Sequence, residues 1–396
     1  MKHQLVHWAL LIALLLAFQE AVVRAVFPLP EVTNFNRVNY AAFAREGASS
    51  FLAKRQLAMN AAFLWKSEPD HASFVSHLNL YGFRDRQWKV APSRGTERVM
   101  FVGDSLTEGF MAADDETIAR GYEMAAGKSS EAMNCGIGGN GIPEYVALIH
   151  DAVPLFRPRR LIVVLYANDL PLTDAVPPRK TLPLRSSSAW EPRLLQILGR
   201  AARHEPVPRR WHSPPVLFVP VVPDPLNPWS NPPPEFARVD PALAEAMRKG
   251  AFNPFVVDVL NKAATALREP VELSETLRQL QSFAHGHGSE LRLVYLPFST
   301  QVSDRYVPFQ QKYATQHEVR SLRGPEFQIH QESLRRSCAK LSLPFLDLTP
   351  LLRRAEENGE HLYWDFDEHL RGATYTRVGA TISRWVKTGA EPDRLE

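Results

Sequence analysis

A chain of 396 residues, 45% of them hydrophobic, can bury one large core or two small ones. Its formal net charge is only +3, and its arginines are scattered ("RPRR", "VPRRW", "LRRAEEN") rather than gathered into a tract, so nothing points to a nucleic-acid partner. Two cysteines, Cys135 and Cys338, are too few for a disulfide framework; they read as small buried hydrophobes, with pairing in an oxidising compartment as the alternative.

The first element is "MKHQLVHWALLIALLLAFQEAVVRAVF", which opens with Lys2 and runs uncharged and mostly apolar from Gln4 to Gln19. That run is short of the ~20 residues a membrane span needs and suits the apolar region of a secretion signal. The small-residue exit site Val23-Arg24-Ala25 is poor. An uncleaved signal anchor over residues 1–25 is therefore expected first and a cleaved signal peptide second, with a buried helix of a cytosolic protein third. Either of the first two exports the rest of the chain, as a single-pass membrane protein with an extracytoplasmic domain or as a periplasmic or secreted one.

Residues 26–90 form a lead-in, in which 27–65 read as a proline-broken start followed by helical pattern and "LNLYGFRDRQW" as irregular or extended chain. From Arg98 the pattern alternates between strand and helix. "VMFVG" is a buried strand, "DETIARGYEMAAGK" a helix and "AMNCG" a second strand. "PEYVALIHDAVPLF" is a helix with Pro143 in its first turn. "RLIVVLY" is a continuous apolar run, as in a parallel strand covered on both faces. Later, "SETLRQLQSFAHGHG" is a helix ending at glycines, "LRLVYLP" a strand, "SCAKLSLPFLDL" a helix end and a last strand, and "GATYTRVGATISRWVKT" a closing helix. The expected fold is α/β: a three-layer, doubly wound, flavodoxin-like parallel sheet of about five strands occupying 91–390.

Between these elements, about 171–269, lies a proline-dense stretch that reads as a surface insertion, because proline removes backbone donors. It contains one helical piece, "PALAEAMRKG", and "VLFVPVV", which Pro220 confines to an edge strand or to none. Its tryptophans, Trp190, Trp211 and Trp229, are expected to pin it to the domain; the other reading has them stacking on sugar rings. His285 and His287 of "HGHG" sit too close in sequence to grip one ion well and mark a turn.

The stretch "VMFVGDSLTEGF" (99–110) places Ser105 where a buried strand gives way to a helix. Gly103 permits a sharp exit, and free N–H groups at a helix start favour developing negative charge. Ser and Asp are also ordinary N-caps, so the tripeptide alone decides little. Three further features fit one chemistry. The second strand exits into "NCGIGGNG", whose backbone N–H groups can approach a substrate oxygen. The third exits into "LYANDL", where Asn168 can point its amide at the same oxygen. "YWDFDEHLRGATY" sets carboxylates beside His369, and a serine needs a base that is itself oriented by a carboxylate.

In order and spacing, Ser, Gly, Asn and Asp-x-His resemble the SGNH (GDSL-type) hydrolase superfamily over roughly residues 78–388, including the lead-in "NLYGFRD". The resemblance implies Ser105 as nucleophile and His369 as base, with an oxyanion hole made by the N–H of Ser105, that of Gly139 (Gly138 as the fallback) and the Asn168 amide. The commonest form in the family is Asp-x-x-His, but Phe366 stands three before His369. Asp367 is the expected acid and Asp365 the competitor. Ala167 stands before "ND" where Gly is commoner.

The expected activity is ester hydrolysis on carbohydrate or lipid esters outside the cytoplasm, acetylated polysaccharide first, with no metal and no cofactor. An O-acetyltransferase acting on an exported polysaccharide is the nearest alternative; a non-catalytic glycan-binding or assembly protein on the same frame is another. A membrane contact is expected through the N-terminal segment.

Overall fold

A computed structural model describes residues 2–41, 62–66, 73–170, 176, 183–187, 190–202, 207, 216–217, 229–249, 256–257, 266–269, 271–313 and 321–396. The first element, α1 (Lys2–Val26), outruns the Gln4–Gln19 apolar stretch. Glu20 and Arg24, one turn apart, pair at 2.5 Å and let the helix continue past the end of the uncharged stretch. Its mean hydropathy is 2.0 over an 18-residue window, none of it buried, so by length and composition it can cross a membrane.

Next come β1 (Ala62–Lys66) and β2 (Ser73–His77). The "AFLW" that carried a helical pattern is thus a strand: β1 pairs antiparallel with β2 from Ala62↔His77 to Lys66↔Ser73, and this backbone pairing overrides the local periodicity. The rest of that helical expectation, 42–61, lies outside the described residues. Residues 78–88 are turns and bends, as "LNLYGFRDRQW" suggested.

The expected alternation follows: β3 (Glu97–Gly103), α2 (Ser105–Glu108), α3 (Ile118–Ala126), β4 (Ser130–Gly136), α4 (Ile142–Phe156) and β5 (Arg160–Leu165). In and around the insertion are α5 (Arg193–Ala202), β6 (Val216–Leu217) and α6 (Pro241–Arg248). Then come α7 (Ser274–Gly286), β7 (Glu290–Tyr295), α8 (Ile329–Leu341), β8 (Phe345–Asp347), α9 (Thr349–Glu357) and α10 (Gly372–Thr388). The short β6, the described part of "VLFVPVV", lies at the edge of the small sheet β2-β1-β6, and Pro220 lies outside the described residues.

The central sheet has the order β4-β3-β5-β7-β8, every pair parallel. This is the doubly wound arrangement expected, with its topological switch between β3 and β5. Successive residues of β3 serve opposite faces: Val99 and Phe101 pack with Ile118, Tyr122, Val378, Ile382 and Trp385 of α3 and α10. Met100 and Val102 pack with Val146, Ile149 and Val153 of α4 and with Leu277 and Leu280 of α7. A strand covered on both faces has no polar side, which is why these strands read as unbroken apolar runs. Cys135 and Cys338 are both buried and free in the second of these layers.

Candidate active site

Ser105 opens α2 directly after β3. Gly103 is needed here for space rather than for a sharp exit: a Cβ on it would lie 2.0 Å from Thr107 Oγ1 and 2.8 Å from the Val164 carbonyl. Asp104 is the N-cap, its carboxylate accepting from Leu106 N–H at 2.9 Å. α2 is only four residues long and closes on Gly109, so the favourable field at its start comes from local N–H groups and not from a long helix dipole.

His369 reaches Ser105 from a loop 264 residues away, its Nε2 lying 2.7 Å from Ser105 Oγ. The other ring nitrogen, Nδ1, bonds Asp367 Oδ1, which also accepts the His369 backbone N–H at 3.0 Å. The competitor Asp365 is engaged elsewhere, bonding His361 Nε2 at 2.8 Å. The loop is folded back on itself by Trp364 N–H to His369 O and Arg371 N–H to Leu362 O. Trp364 Nε1 then donates at 3.1 Å to the carbonyl of Met111, a residue held at φ 61° just after the serine helix. Phe110 closes the histidine from one side, ring centres 4.9 Å apart.

The charges around this imidazole are unusual. Burial works against its protonated form, but the carboxylates of Asp367, Glu368 and Asp104 outweigh it and raise the His369 pKa to about 9. Glu368 lies 3.9 Å from Nδ1. Burial, then the Asp367 charge, push its own pKa up to about 8. Burial raises Asp104 to about 6. Asp367, Glu368 and His369 offer ligand atoms within 4.8 Å of one another. Both imidazole nitrogens are already engaged, however, by Ser105 and Asp367, which leaves this donor set poorly suited to a cation.

The loops after β4 and β5 flank the serine. Gly138 lies beside it, a Cβ there falling 3.5 Å from Ser105 Cβ, but its N–H is spent on Glu108 Oε2 at 2.7 Å. Gly139 has φ +78°, a left-handed conformation suited to glycine, and among the described residues its N–H has no acceptor. Asn168 sits in the turn Ala167–Asp169, its Oδ1 buried without a partner. Asp169 fixes that turn by accepting from Tyr166 N–H and Tyr145 Oη, both at 2.8 Å. Ser105, His369 and Asp367 are thus in contact; Gly139 and Asn168 stand on adjoining strand ends without a hydrogen bond to Ser105.

Sequence reasoning missed the support under the glycine loop. Arg37 makes a two-pronged pair with Glu108, at 2.7 and 2.8 Å, and both side chains are buried. Glu108 therefore joins the lead-in, the serine helix and the Gly138 N–H. Its place three residues after Ser105 in "GDSLTEG" was a signal that could have found it; Arg37, 71 positions upstream, gave none. Of the insertion's tryptophans, Trp229 is buried against Phe236 and Trp190 is exposed, while Trp211 lies outside the described residues. His287 closes α7 onto Phe283 O at 2.9 Å with Gly288 at φ +75°, the turn expected of "HGHG".

No family model matches the chain, and no curated protein does. Among solved structures it is similar to a lipase/acylhydrolase from Enterococcus faecalis, at 12% identity and TM-score 0.36, over 76% of this chain and 100% of that one. It is also similar to a carbohydrate acetylesterase from Sinorhizobium meliloti, at 10% identity and TM-score 0.36, over 74% and 100%. A third is a member of the lipolytic G-D-S-L family from Veillonella parvula, at 10% identity and TM-score 0.31, over 74% and 98%. What those proteins act on belongs to them; the chemistry of this chain rests on its own side chains.

Proposed function

We propose that the protein is a serine esterase of the SGNH (GDSL-type) kind. The observation that carries this reading is the contact of Ser105 Oγ with His369 Nε2 at 2.7 Å while Nδ1 is held by Asp367, three side chains brought together from two distant loops. An alcohol, an imidazole and a buried carboxylate in that order are what nucleophilic acyl transfer needs. His369 takes the Ser105 proton as Oγ bonds to the ester carbonyl carbon, and the carbonyl oxygen becomes an oxyanion. That oxygen is met by the N–H groups of Ser105 and Gly139 and by the Nδ2 of the Asn168 amide. Collapse expels the alcohol, which receives the proton from His369. Water then repeats the sequence on the acyl-serine and releases the acid.

The substrate we assign is an acyl ester of carbohydrate or lipid, acetylated polysaccharide first, met outside the cytoplasm. The long apolar α1 supports export, whether it remains as an anchor or is removed as a signal. A fluorophosphonate probe tests the nucleophile without the natural substrate. The probe is expected to label Ser105 of the purified protein and to lose at least about 10³-fold in labelling rate in Ser105→Ala and His369→Ala. Undiminished labelling of Ser105→Ala defeats the reading.

A further inference from the structure

The helix α5 is turned inside out. Arg193 and Arg200 lie on its buried side, while Leu194, Leu195, Leu198, Ala201 and Ala202 are all exposed. At 100° per residue those five positions fall within one arc of about 120°, so they form a single apolar stripe facing outward. Leu195 is 57% and Leu198 55% exposed, and Trp190, just before the helix, is 96% exposed. A water-soluble surface helix points its apolar stripe at the core and its arginines at solvent. Here the inner side is occupied: Arg200 reaches the Thr33 carbonyl at 3.5 Å, and the strap 185–187 bonds Thr33 N–H and Glu31 O.

The position of α5 indicates what covers the stripe. The carboxylate of Glu20 in α1 accepts from Arg193 N–H at 2.7 and 2.9 Å, and Arg24 Nη2 donates to Glu191 O at 3.0 Å. The two helices are therefore joined at the C-terminal end of α1, where a spanning helix leaves the hydrocarbon. We propose that α5 lies in the interface of the membrane that α1 enters, Leu194, Leu195 and Leu198 seated at the acyl boundary and Trp190 at headgroup depth. Tryptophan is favoured there because its ring is apolar and its N–H needs a polar partner. The proposal rests on α1 being a membrane helix, and it adds a second contact that fixes how the domain sits on the lipid surface.

The test uses the full chain in phosphatidylcholine/phosphatidylglycerol vesicles that carry bromine at shallow or deep acyl positions, with tryptophan fluorescence as the readout. Trp8 lies within α1 and reports on that helix independently. Expected are a drop in shallow-bromine quenching in Trp190→Phe by one tryptophan's share and, separately, a loss in Trp8→Phe. The double variant Leu195→Glu/Leu198→Glu should reproduce the Trp190→Phe loss while retaining p-nitrophenyl acetate hydrolysis, which shows that it folds. If Trp8 is quenched and Trp190 is not, the α5 proposal fails and the anchor reading survives. If Trp190 alone is quenched, the anchor reading fails, and the proposal, which seats α5 on the membrane that α1 enters, falls with it. No quenching of either overturns both. A dimer in detergent that the double variant splits, with Trp190 unquenched in vesicles, assigns the stripe to a second copy and also overturns the proposal.

Discussion

The two sides of Ser105 are built differently. On the histidine side the three groups are already bonded to one another, Oγ to Nε2 and Nδ1 to Asp367, and the loop backbone is closed by Trp364 and Arg371. On the side proposed for the oxyanion, the Gly139 N–H has no acceptor among the described residues, while the neighbouring Gly138 N–H is committed to Glu108. A base must be pre-aligned with its nucleophile, whereas a donor that serves a transition-state charge must be free when that charge appears. This difference favours the proposed role of Gly139 over that of the fallback Gly138. It also sorts the expected effects of mutation.

The largest effects belong to the bonded side. Ser105→Ala and His369→Ala should each reduce kcat on p-nitrophenyl acetate by on the order of 10⁴-fold or more. Because the members act as a unit, the two should agree within about tenfold, and Ser105→Ala/His369→Ala should be no worse than either. Additive losses in the double variant would mean that the 2.7 Å contact is not used in catalysis.

Asn168→Ala comes next, with an expected loss of about 10²–10³-fold in kcat and little change in KM, as for one donor removed from an oxyanion hole. A KM effect alone would make Asn168 a substrate-binding residue and leave the open side with one fewer transition-state donor.

The same contrast governs what was legible in the sequence. The strands were readable because burial on both faces leaves no polar position to confuse the period, as in "RLIVVLY". Ser105 and His369 stood out because loops at strand ends must carry the chemistry of this fold. Asp367 is already the expected acid from the sequence, with Asp365 as competitor; only coordinates could add that Asp365 bonds His361. Arg37 could not be found at all: a buried ion pair across 71 residues leaves no local pattern. The "AFLW" strand was misread as helix because its partner β2, which decides the matter, lies beyond the window that periodicity samples. The arginines and leucines of α5 have helical spacing, but only the fold shows which face looks outward.

Glu108 sharpens the comparison because it serves the open side without touching substrate. Glu108→Gln keeps an acceptor for Gly138 N–H and removes the charge facing Arg37. Expected are a loss of about 10- to 10²-fold in kcat through a displaced glycine loop and a destabilisation of about 3–5 kcal/mol from the unpaired buried arginine. Urea unfolding and kcat on the same preparation separate the two. Arg37→Lys in the wild-type background keeps the ion pair without the two-pronged geometry and should cost less stability than Glu108→Gln. If unfolding shifts while kcat stays at the wild-type value, Glu108 is a folding residue and the glycine loop is set by something else.

The smallest expected effect is a shift in pH dependence. With the His369 pKa raised to about 9, the base form that accepts the Ser105 proton is scarce at neutral pH and grows about tenfold per pH unit. The kcat/KM on p-nitrophenyl acetate should therefore rise from pH 7 and level off above about 9. Stability runs the opposite way: a pKa raised above the ordinary 6.5 makes protonated His369 a source of stability fully present below 6.5 and lost as pH rises through about 9. Glu368→Gln removes a carboxylate 3.9 Å from Nδ1 and so withdraws support from the imidazolium. Its activity midpoint should move to lower pH, raising kcat/KM roughly twofold to fivefold at pH 8. An unchanged midpoint would mean that Glu368 carries a proton throughout and acts on His369 only through packing, and a midpoint moved upward would overturn the assigned direction.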